Sequence, residues 1–385
     1  MTALLNALTA EQEQIKTWRH DLHRKPETAF EEKNTAGYIA KLLRDWGYEV
    51  AEGVGKTGVV ARLQAGDGKK SIGLRADTDA LPVQEMTESD HKSTVPGKSH
   101  MCGHDGHSAM LLGAAQYLAK TRDFNGVVNL IFQPAEEIMG GAPAMIEDGL
   151  FERFPMDAVF GMHNMPGLEL GKLYFTPGPV MAAVDNWEIV LTGKGSHGSM
   201  PEKSVDPVVA GAALVMALQT IVSRNVAPKD SAVVSVGAFL AGDAGNVIPQ
   251  TATLRLSTRT SAPETRQMVL GKIKSITAAI ATAYGVSHEI KAGPPGAVLV
   301  NDPEQTEICA GIAKSLLGEE KVITQGPTFM GSEDFAFYAQ QKPATYCFIG
   351  NGDTPMVHHP EYRFDDSNLP IGAAYWVAVA EHYLK

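Results

Sequence analysis

Short apolar runs alternate with segments of helical spacing along most of this chain, and a central block breaks the alternation. Strand-like runs occur at Gly58–Leu63, Ser71–Arg75, Val127–Phe132 and Ala158–Met162. Helical spacing or helix-ending residues occur at Ala10–His23, Asn34–Trp46, His107–Lys120 and Gly140–Asp148. Alternating strands and helices predict an α/β fold with a mixed, mostly parallel sheet flanked by helices.

The central block has a different order of elements. Its predicted elements are strand Trp187–Thr192, helix Pro207–Arg224, strands Ala232–Leu240 and Thr251–Arg259, helix Pro263–Tyr284 and strand Val286–Ala292. This β-α-β-β-α-β order is typical of a ferredoxin-like α+β domain. The segment Lys291–Val298, with two glycines and two prolines, resembles a return hinge. We therefore predict one domain from residues 1–184 and 297–385, with residues 185–296 inserted into it.

The last part of the chain resumes the first pattern. Its predicted elements are Pro303–Leu317, Ser332–Gln341, Tyr346–Ile349 and Asn368–Leu384. These segments return the chain to the larger domain.

Composition limits the function classes. The 385 residues are 44% hydrophobic and 20% charged, which suits a large folded core. A net charge of −11 gives no electrostatic reason to bind nucleic acid or an anionic membrane. The start lacks a basic signal-peptide region, and the longest apolar run, Val208–Leu218, is shorter than the roughly 20 residues that a bilayer requires. Three cysteines argue against a disulfide framework, so we expect a cytoplasmic protein.

Polar residues follow three of the predicted strands. Ser71–Arg75 leads into Asp77 and Asp79, Val127–Phe132 leads into Glu136 and Glu137, and Ala158–Met162 leads into His163. Ligands of open α/β sheets bind outside the carboxyl ends of the strands. The three strands are therefore predicted to deliver carboxylates and an imidazole to one edge.

The segment His100–His107 concentrates three histidines, one cysteine and one aspartate in eight residues. In extended backbone, Cys102 and His104 would point to the same side and reach one ion. Thiolate, imidazole and carboxylate together suit zinc or a similar divalent metal such as manganese, cobalt or nickel. The alternative is a helix-capping loop with a buried cysteine, and for His107 a capping or packing role is favoured.

The adjacent Glu136 and Glu137 suggest two different chemical roles. One carboxylate can bind a metal while the other handles the proton of an activated water. Near the end of the chain, His358 and His359 precede Pro360 in a predicted loop and offer a further ligand. The alternatives are that the two glutamates belong to a solvated surface run and that the two histidines lie in a surface loop.

The central block carries its own candidate residues. A glycine-rich turn, residues 192–198, holds His197 but lacks the spacing of a phosphate-binding loop. His197 is a candidate for polarising a substrate carbonyl. Asn246 and Arg259 are candidates for holding a carboxylate.

Taken together, the motifs resemble the metal-dependent aminoacylase/carboxypeptidase-type amidohydrolases, in the branch of hippurate hydrolase, N-acyl-amino-acid amidohydrolases and plant auxin-conjugate hydrolases. The matching segments run almost from end to end: residues 22–27, 75–82, 102–107, 132–137, 195–197, 246–249, 330–335 and His358. Two departures are Met101, where alanine is usual, and Ile138-Met139, where glycines are usual.

The resemblance implies a role for each matching residue. It implies two divalent metal ions held by Cys102, His104, Glu137, His163 and His358, with Cys102 as the bridge. It further implies Glu136 as general acid/base, His197 as a histidine that reaches across a dimer, and Asp79 as a residue that steadies the site. Gly331, within the matching segment 330–335, is predicted to bind substrate together with Asn246 and Arg259. His359 is not predicted to be a ligand.

The expected reaction is hydrolysis of an N-acyl amino acid, either hippurate-like or N-acetylated, to a carboxylate and a free amino acid. We expect a homodimer formed through the inserted domain. A dipeptidase or carboxypeptidase with the same metal pair is the alternative enzyme. A catalytically silent binding protein on the same fold is the non-enzymatic alternative, although Glu136 is retained. A redox role for Cys102 has no CxxC motif or resolving cysteine to support it.

Overall fold

The computed structural model describes residues 2–385 and divides them into two compact units. The first contains residues up to Gly178, Val300–Pro327 and Asp334–Lys385, and the second contains Pro179–Leu299 and Thr328–Glu333. The inserted block of the sequence analysis, residues 185–296, lies within the second unit, and its exact limits stay a prediction.

Eleven helices occur in the described residues. They are α1 Ala3–Ala10, α2 Gln12–Arg24, α3 Lys33–Asp45, α4 His104–Thr121, α5 Gly141–Glu147, α6 Leu150–Arg153, α7 Pro207–Asn225, α8 Pro263–Tyr284, α9 Pro303–Leu317, α10 Phe335–Ala339 and α11 Asn368–Tyr383.

Sixteen strands accompany these helices in the described part of the chain. They are β1 Glu49–Val54, β2 Gly58–Ala65, β3 Ser71–Asp77, β4 Gly126–Gln133, β5 Ala158–Met165, β6 Leu173–Tyr174, β7 Gly178–Met181, β8 Ala183–Thr192, β9 Ser196–His197, β10 Ala232–Leu240, β11 Val247–Ile248, β12 Thr251–Thr260, β13 Ser287–Ala292, β14 Leu299–Asn301, β15 Val322–Ile323 and β16 Ala344–Gly350.

The first unit is built on an eight-stranded sheet of order β1-β2-β4-β3-β5-β16-β6-β15. Its four central strands, β4, β3, β5 and β16, run parallel to one another. Strands β3, β5 and β16 are buried along their whole length, as expected where helices cover both faces of a parallel sheet. The predicted mixed, mostly parallel sheet flanked by helices is confirmed.

Helix α4 is the central helix of the first unit. It packs against α11, α2 and β3, and thirteen of its eighteen residues are buried. Such a helix cannot be amphipathic in the usual sense, because it is surrounded by apolar neighbours. Its N-terminus, at His104, lies within the histidine- and cysteine-rich segment His100–His107 and fixes that segment at the end of the sheet.

The second unit has a four-stranded antiparallel sheet of order β10-β12-β8-β13. With α7 between β8 and β10 and α8 between β12 and β13, this is the predicted ferredoxin-like arrangement. Helix α7 is long and apolar enough to cross a membrane by length and composition. However, Ala210, Leu214, Leu218 and Ile221 on one face of it are fully buried in the core of this unit.

Three sequence predictions about elements were wrong at their limits. Residues 3–10 form a separate helix, α1, ahead of the predicted first helix. Helix α4 begins at His104, three residues before its predicted start. The predicted helix Ser332–Gln341 is only α10, Phe335–Ala339, because residues 332 and 333 belong to the second unit and the Asp334 side chain is held in a buried polar network.

Candidate metal centre and catalytic turn

Two buried histidines of the first unit turn one ring nitrogen toward a backbone carbonyl and the other toward a shared centre. His104 Nδ1 lies 2.9 Å from the Asp79 carbonyl oxygen, and His163 Nδ1 contacts the Asn164 carbonyl oxygen. A carbonyl only accepts, so each Nδ1 carries the proton. In the neutral ring the Nε2 lone pair is therefore left for a ligand, which is the usual arrangement of histidines that bind metal.

Cys102, Glu137 and His358 complete this cluster. The Cys102 Sγ atom lies 3.4 Å from His163 Nε2, and His358 Nε2 lies 3.3 Å from Glu137 Oε2. The ligand atoms of Cys102, His104 and His163 lie within 4.8 Å of one another, as do those of Cys102, Glu137 and His358. Cys102 belongs to both groups. The structure thus brings together all five residues that the sequence analysis named as metal ligands.

The polar atoms of this cluster fit a cation. His104 Nε2 and Glu137 Oε1 are buried 3.8 Å apart, and neither has a hydrogen-bond partner in the described residues. Leaving buried polar groups unpaired costs about 1–3 kcal/mol each, so native structures rarely do so without a reason. Thiol, imidazole and carboxylate ligands together suit a borderline divalent ion. The donor set and the unpaired atoms support divalent metal use.

Two groups of this cluster, His104 and Cys102, favour their protonated forms in the protein alone. Burial lowers the pKa of His104, but the Asp77, Asp79 and Glu137 carboxylates outweigh burial and raise that pKa to about 10. Burial, together with the Glu137 carboxylate, raises the pKa of the Cys102 thiol well above its usual range. A nearby helix N-terminus favours a thiolate, but at Cys102 burial and negative charge prevail in the protein alone. A divalent ion would reverse that balance.

The structure corrects how Cys102 and His104 come to face one site. The sequence analysis placed both on one side of extended backbone. Instead, Gly103 has a left-handed conformation, with φ of 90°, and His104 is the first residue of α4. A Cβ atom on Gly103 would lie 2.3 Å from Asn164 Nδ2, so only glycine fits this turn.

Asp79 holds the turn that carries the two glutamates. Its Oδ1 accepts the Glu136 amide N–H and its Oδ2 accepts the Glu137 amide N–H, both at 3.0 Å. The two residues lie in a short 3₁₀ turn after β4. Glu137 faces the metal ligands, whereas Glu136 Oε2 lies 4.0 Å from His104 Nε2 at the edge of the cluster. One turn therefore presents a candidate metal ligand, Glu137, and an adjacent buried carboxylate, Glu136.

His107 lies close to this centre but its ring is fully engaged. Its Nδ1 lies 2.6 Å from Asp77 Oδ1, and its Nε2 accepts the Asn164 backbone N–H at 3.0 Å. This agrees with the packing role favoured for it. The sequence analysis did not assign Asp77 a role, although its carboxylate lies 3.8 Å from His104 Nε2. Its position at the end of β3, two residues before Asp79, was the available signal.

The remaining predicted residues lie in the second unit and fall into two pairs. His197 in β9 pairs in register with Val247, the residue after Asn246, and Gly198 N–H donates to the Asn246 carbonyl. In the other pair, Arg259 Nη1 donates to Ser332 Oγ at 2.9 Å, next to Gly331.

His197 is exposed, and its Nδ1 accepts the Ser199 backbone N–H at 3.1 Å. In the neutral ring this leaves the proton on Nε2, which can then donate to a substrate oxygen.

Comparisons with known proteins match this chain over the segments that contain these motifs. The model for peptidase family M20/M25/M40 matches residues 73–382. Hippurate hydrolase of Campylobacter jejuni is 47% identical, over 95% of this chain and 96% of that protein. N-acetyl-L-cysteine deacetylase of Bacillus subtilis is 38% identical, over 97% of this chain and 88% of that protein.

A solved structure has the same fold. The dinuclear metal-binding peptidase of the M20 family from Bacillus subtilis superposes with a TM-score of 0.86 at 34% identity, over 98% of this chain and 99% of that one. Together with the gathered ligands, these matches confirm the family resemblance drawn from the motifs. The chain therefore belongs to peptidase family M20/M25/M40 and is a metal-dependent amidohydrolase.

Proposed function

We propose that this protein hydrolyses N-acyl amino acids, hippurate-like or N-acetylated, to a carboxylate and a free amino acid. The observation that carries the proposal is the turn after β4, in which Glu137 Oε1 lies 3.8 Å and Glu136 Oε2 lies 4.0 Å from His104 Nε2. The relatives support the substrate class, since one is named for hippurate and another for an N-acetyl amino acid.

The proposed ligands are Cys102, His104, Glu137, His163 and His358. They would hold two divalent ions, zinc, manganese, cobalt or nickel, with Cys102 shared between them. When bound, the ions supply an acidified water and positive charge for the oxygen of the substrate carbonyl.

Glu136 is the proposed proton carrier. It takes a proton from the attacking water as the oxygen adds to the amide carbon, and it then gives that proton to the nitrogen as the C–N bond breaks. The water thus supplies the hydroxyl of the new carboxylate and the hydrogen of the new amine. The Glu136 side chain is buried, at 6% exposure, and this burial keeps bulk water from competing for that proton.

His197 and Arg259 are proposed to act on the substrate from the second unit. The Nε2–H of His197 would donate to the carbonyl oxygen as negative charge develops there. The guanidinium of Arg259, oriented by Ser332, would pair with the carboxylate of the amino acid, and Asn246 and Gly331 would line the same subsite.

A homodimer and a cytoplasmic location complete the proposal. The second unit exposes large apolar side chains, among them Met216 at 71% and Leu240 at 53% exposure. Surface of this kind favours a partner, and a second copy would let His197 act across the interface. The three cysteines, free and buried, are consistent with a reducing compartment.

The test is a substrate panel with the protein loaded with each metal in turn. We expect hydrolysis of hippurate or N-acetyl amino acids and little hydrolysis of a matched dipeptide with a free amino terminus. The Glu136→Gln variant should lose at least 10³-fold in kcat at normal metal content, because the amide cannot carry the proton. Preference for the free dipeptide would favour a dipeptidase, and retained activity of Glu136→Gln would remove Glu136 from its role.

A further inference from the structure

Glu32 is a buried carboxylate that the reaction does not use directly. It precedes α3 and has no exposed surface. Its Oε1 accepts the Ala135 amide N–H at 2.9 Å, and its Oε2 accepts the Thr57 hydroxyl at 2.6 Å. A carboxylate is costly to bury, so its contacts identify what it holds.

The catalytic turn is the segment of residues 135–139 that carries Glu136 and Glu137. Three consecutive amide groups of this turn are therefore held by two carboxylates. Glu32 accepts from Ala135, and Asp79 accepts from Glu136 and Glu137. Such a run of N–H groups forms a concave site for anions, and here the anions are side chains of the protein itself.

The backbone of this turn needs such support. Ala135 and Met139 lie at each end of the turn with positive φ values of 51° and 56°. Residues other than glycine adopt this conformation at a cost, and it persists only where the surroundings enforce it. The bond from Glu32 fixes the first of these residues, immediately before Glu136.

We propose that Glu32 is a positioning residue for the reaction, acting through the Ala135 amide to aim Glu136. The inference rests on the proposed role of Glu136 as proton carrier. Asp79 fixes the two glutamates from one side of the turn, and Glu32 fixes the entry to the turn from the other.

The experiment compares three variants of the manganese-loaded enzyme on hippurate. Glu32→Met keeps the side-chain length and removes both acceptors. Glu32→Gln keeps an oxygen for Ala135 and an amide for the Thr57 oxygen. Thr57→Val removes the bond to Oε2 and leaves the bond to Ala135, so it is the matched control. Glu32→Asp, which withdraws the carboxylate by one methylene, replaces Glu32→Met if the latter does not fold.

We expect kcat to fall at least tenfold in Glu32→Met with KM changed less than twofold, since a misplaced catalytic group costs rate more than binding. Glu32→Gln should keep most of the wild-type kcat, and Thr57→Val should keep the wild-type kcat. Metal content should stay normal in all three variants. If Glu32 only fastened α3 to the sheet, Glu32→Met and Thr57→Val would lose stability alike and keep kcat, and the inference would be overturned.

A second measurement does not depend on activity. Amide hydrogen exchange of the segment 133–141 should quicken at Ala135 in Glu32→Met and stay slow in Thr57→Val. Unchanged exchange at Ala135 in Glu32→Met would overturn the inference even with an inactive wild type. A wild type that hydrolyses no panel substrate, with the expected exchange result, would instead refute the proposed function and leave Glu32 holding the turn.

Discussion

At the scale of single residues, two groups of the candidate metal site, His104 and Cys102, favour their protonated forms when no ion is bound. The pKa of His104 is raised to about 10, and that of the Cys102 thiol lies higher than usual. Both groups therefore carry a proton at neutral pH in the metal-free protein. A divalent ion must displace those protons, so binding should weaken as the pH falls.

This balance predicts that binding of manganese or zinc at pH 7 releases about two protons per site from these two groups. Calorimetry in two buffers of different ionisation enthalpy measures the number. The Cys102→Ala variant should release one proton fewer and hold less metal. Proton release equal to wild type in that variant would argue against Cys102 as a ligand.

The residues of the site differ in how far the sequence revealed them. All five proposed ligands, Glu136 and Asp79 were named in advance: the strand ends and the segment His100–His107 indicated a metal site, and the family resemblance implied the role of each residue. Glu32 was not predicted. It acts through a backbone amide 103 positions away, and such a contact leaves no pattern in a single sequence.

At the scale of elements, buried polar contacts join α2 to the loop between β3 and α4, residues 78–103. His23, near the end of α2, lies 2.8 Å from Asp105 in α4 and 3.2 Å from Glu85. Burial alone would raise the pKa of Glu85, but hydrogen bonds from His23, Ser93 and Thr87 outweigh it and lower that pKa to about 2. The loop is thereby fixed through one carboxylate.

The depressed pKa predicts the direction of a pH effect on stability. Because the pKa of Glu85 is lower in the folded than in the unfolded chain, its contribution is complete above pH 4.5 and is lost as the pH falls towards 2. Glu85→Gln should lower the free energy of unfolding by about 2 kcal/mol at pH 7.

Urea unfolding at pH 7 and at pH 3 measures this effect. The difference between Glu85→Gln and wild type should shrink at the lower pH. The matched control is Glu88→Gln, since Glu88 is an exposed residue of the same loop and should change little. An equal loss at both pH values would show that the charge of Glu85 is not what stabilises the loop.

The elements that sequence patterns missed are those that depend on tertiary contacts. Strand β1, with sequence EVAEGV, lies at an edge of the sheet and lacks an apolar run. Strands β6 and β15 have two residues each, too few for any periodicity. By contrast, the buried central strands were predicted, because continuous burial selects continuous apolar sequence.

At the scale of the whole molecule, the second unit carries surface that favours a partner. Its strand β10 is an edge strand of the sheet, and Phe239 and Leu240 on it are exposed. Exposed apolar edge strands of this kind invite pairing with another chain. A second copy paired along this edge would cover them.

Substitution of exposed apolar residues of the second unit, one in β10 and one in α7, should separate the proposed dimer. The Leu240→Lys/Met216→Lys double variant is expected to be monomeric by light scattering, and its kcat should fall at least tenfold if His197 acts across the interface. The control is Leu170→Lys, an exposed apolar residue of the first unit at 39% exposure, which should stay dimeric. A monomeric wild type with full activity would refute the role of His197 across an interface.

The proposed ligand residues are spread from Cys102 to His358, so the candidate site joins chain segments that are synthesised at very different times. His358 N–H donates to the Met101 carbonyl at 2.7 Å, a contact that links the two extremes directly. During translation, a ribosome-bound chain that has not yet reached residue 358 lacks one of the five proposed ligands. The group of Cys102, Glu137 and His358 therefore cannot form before residue 358 has been synthesised, and the proposed activity, which uses both ions, has to wait for that step.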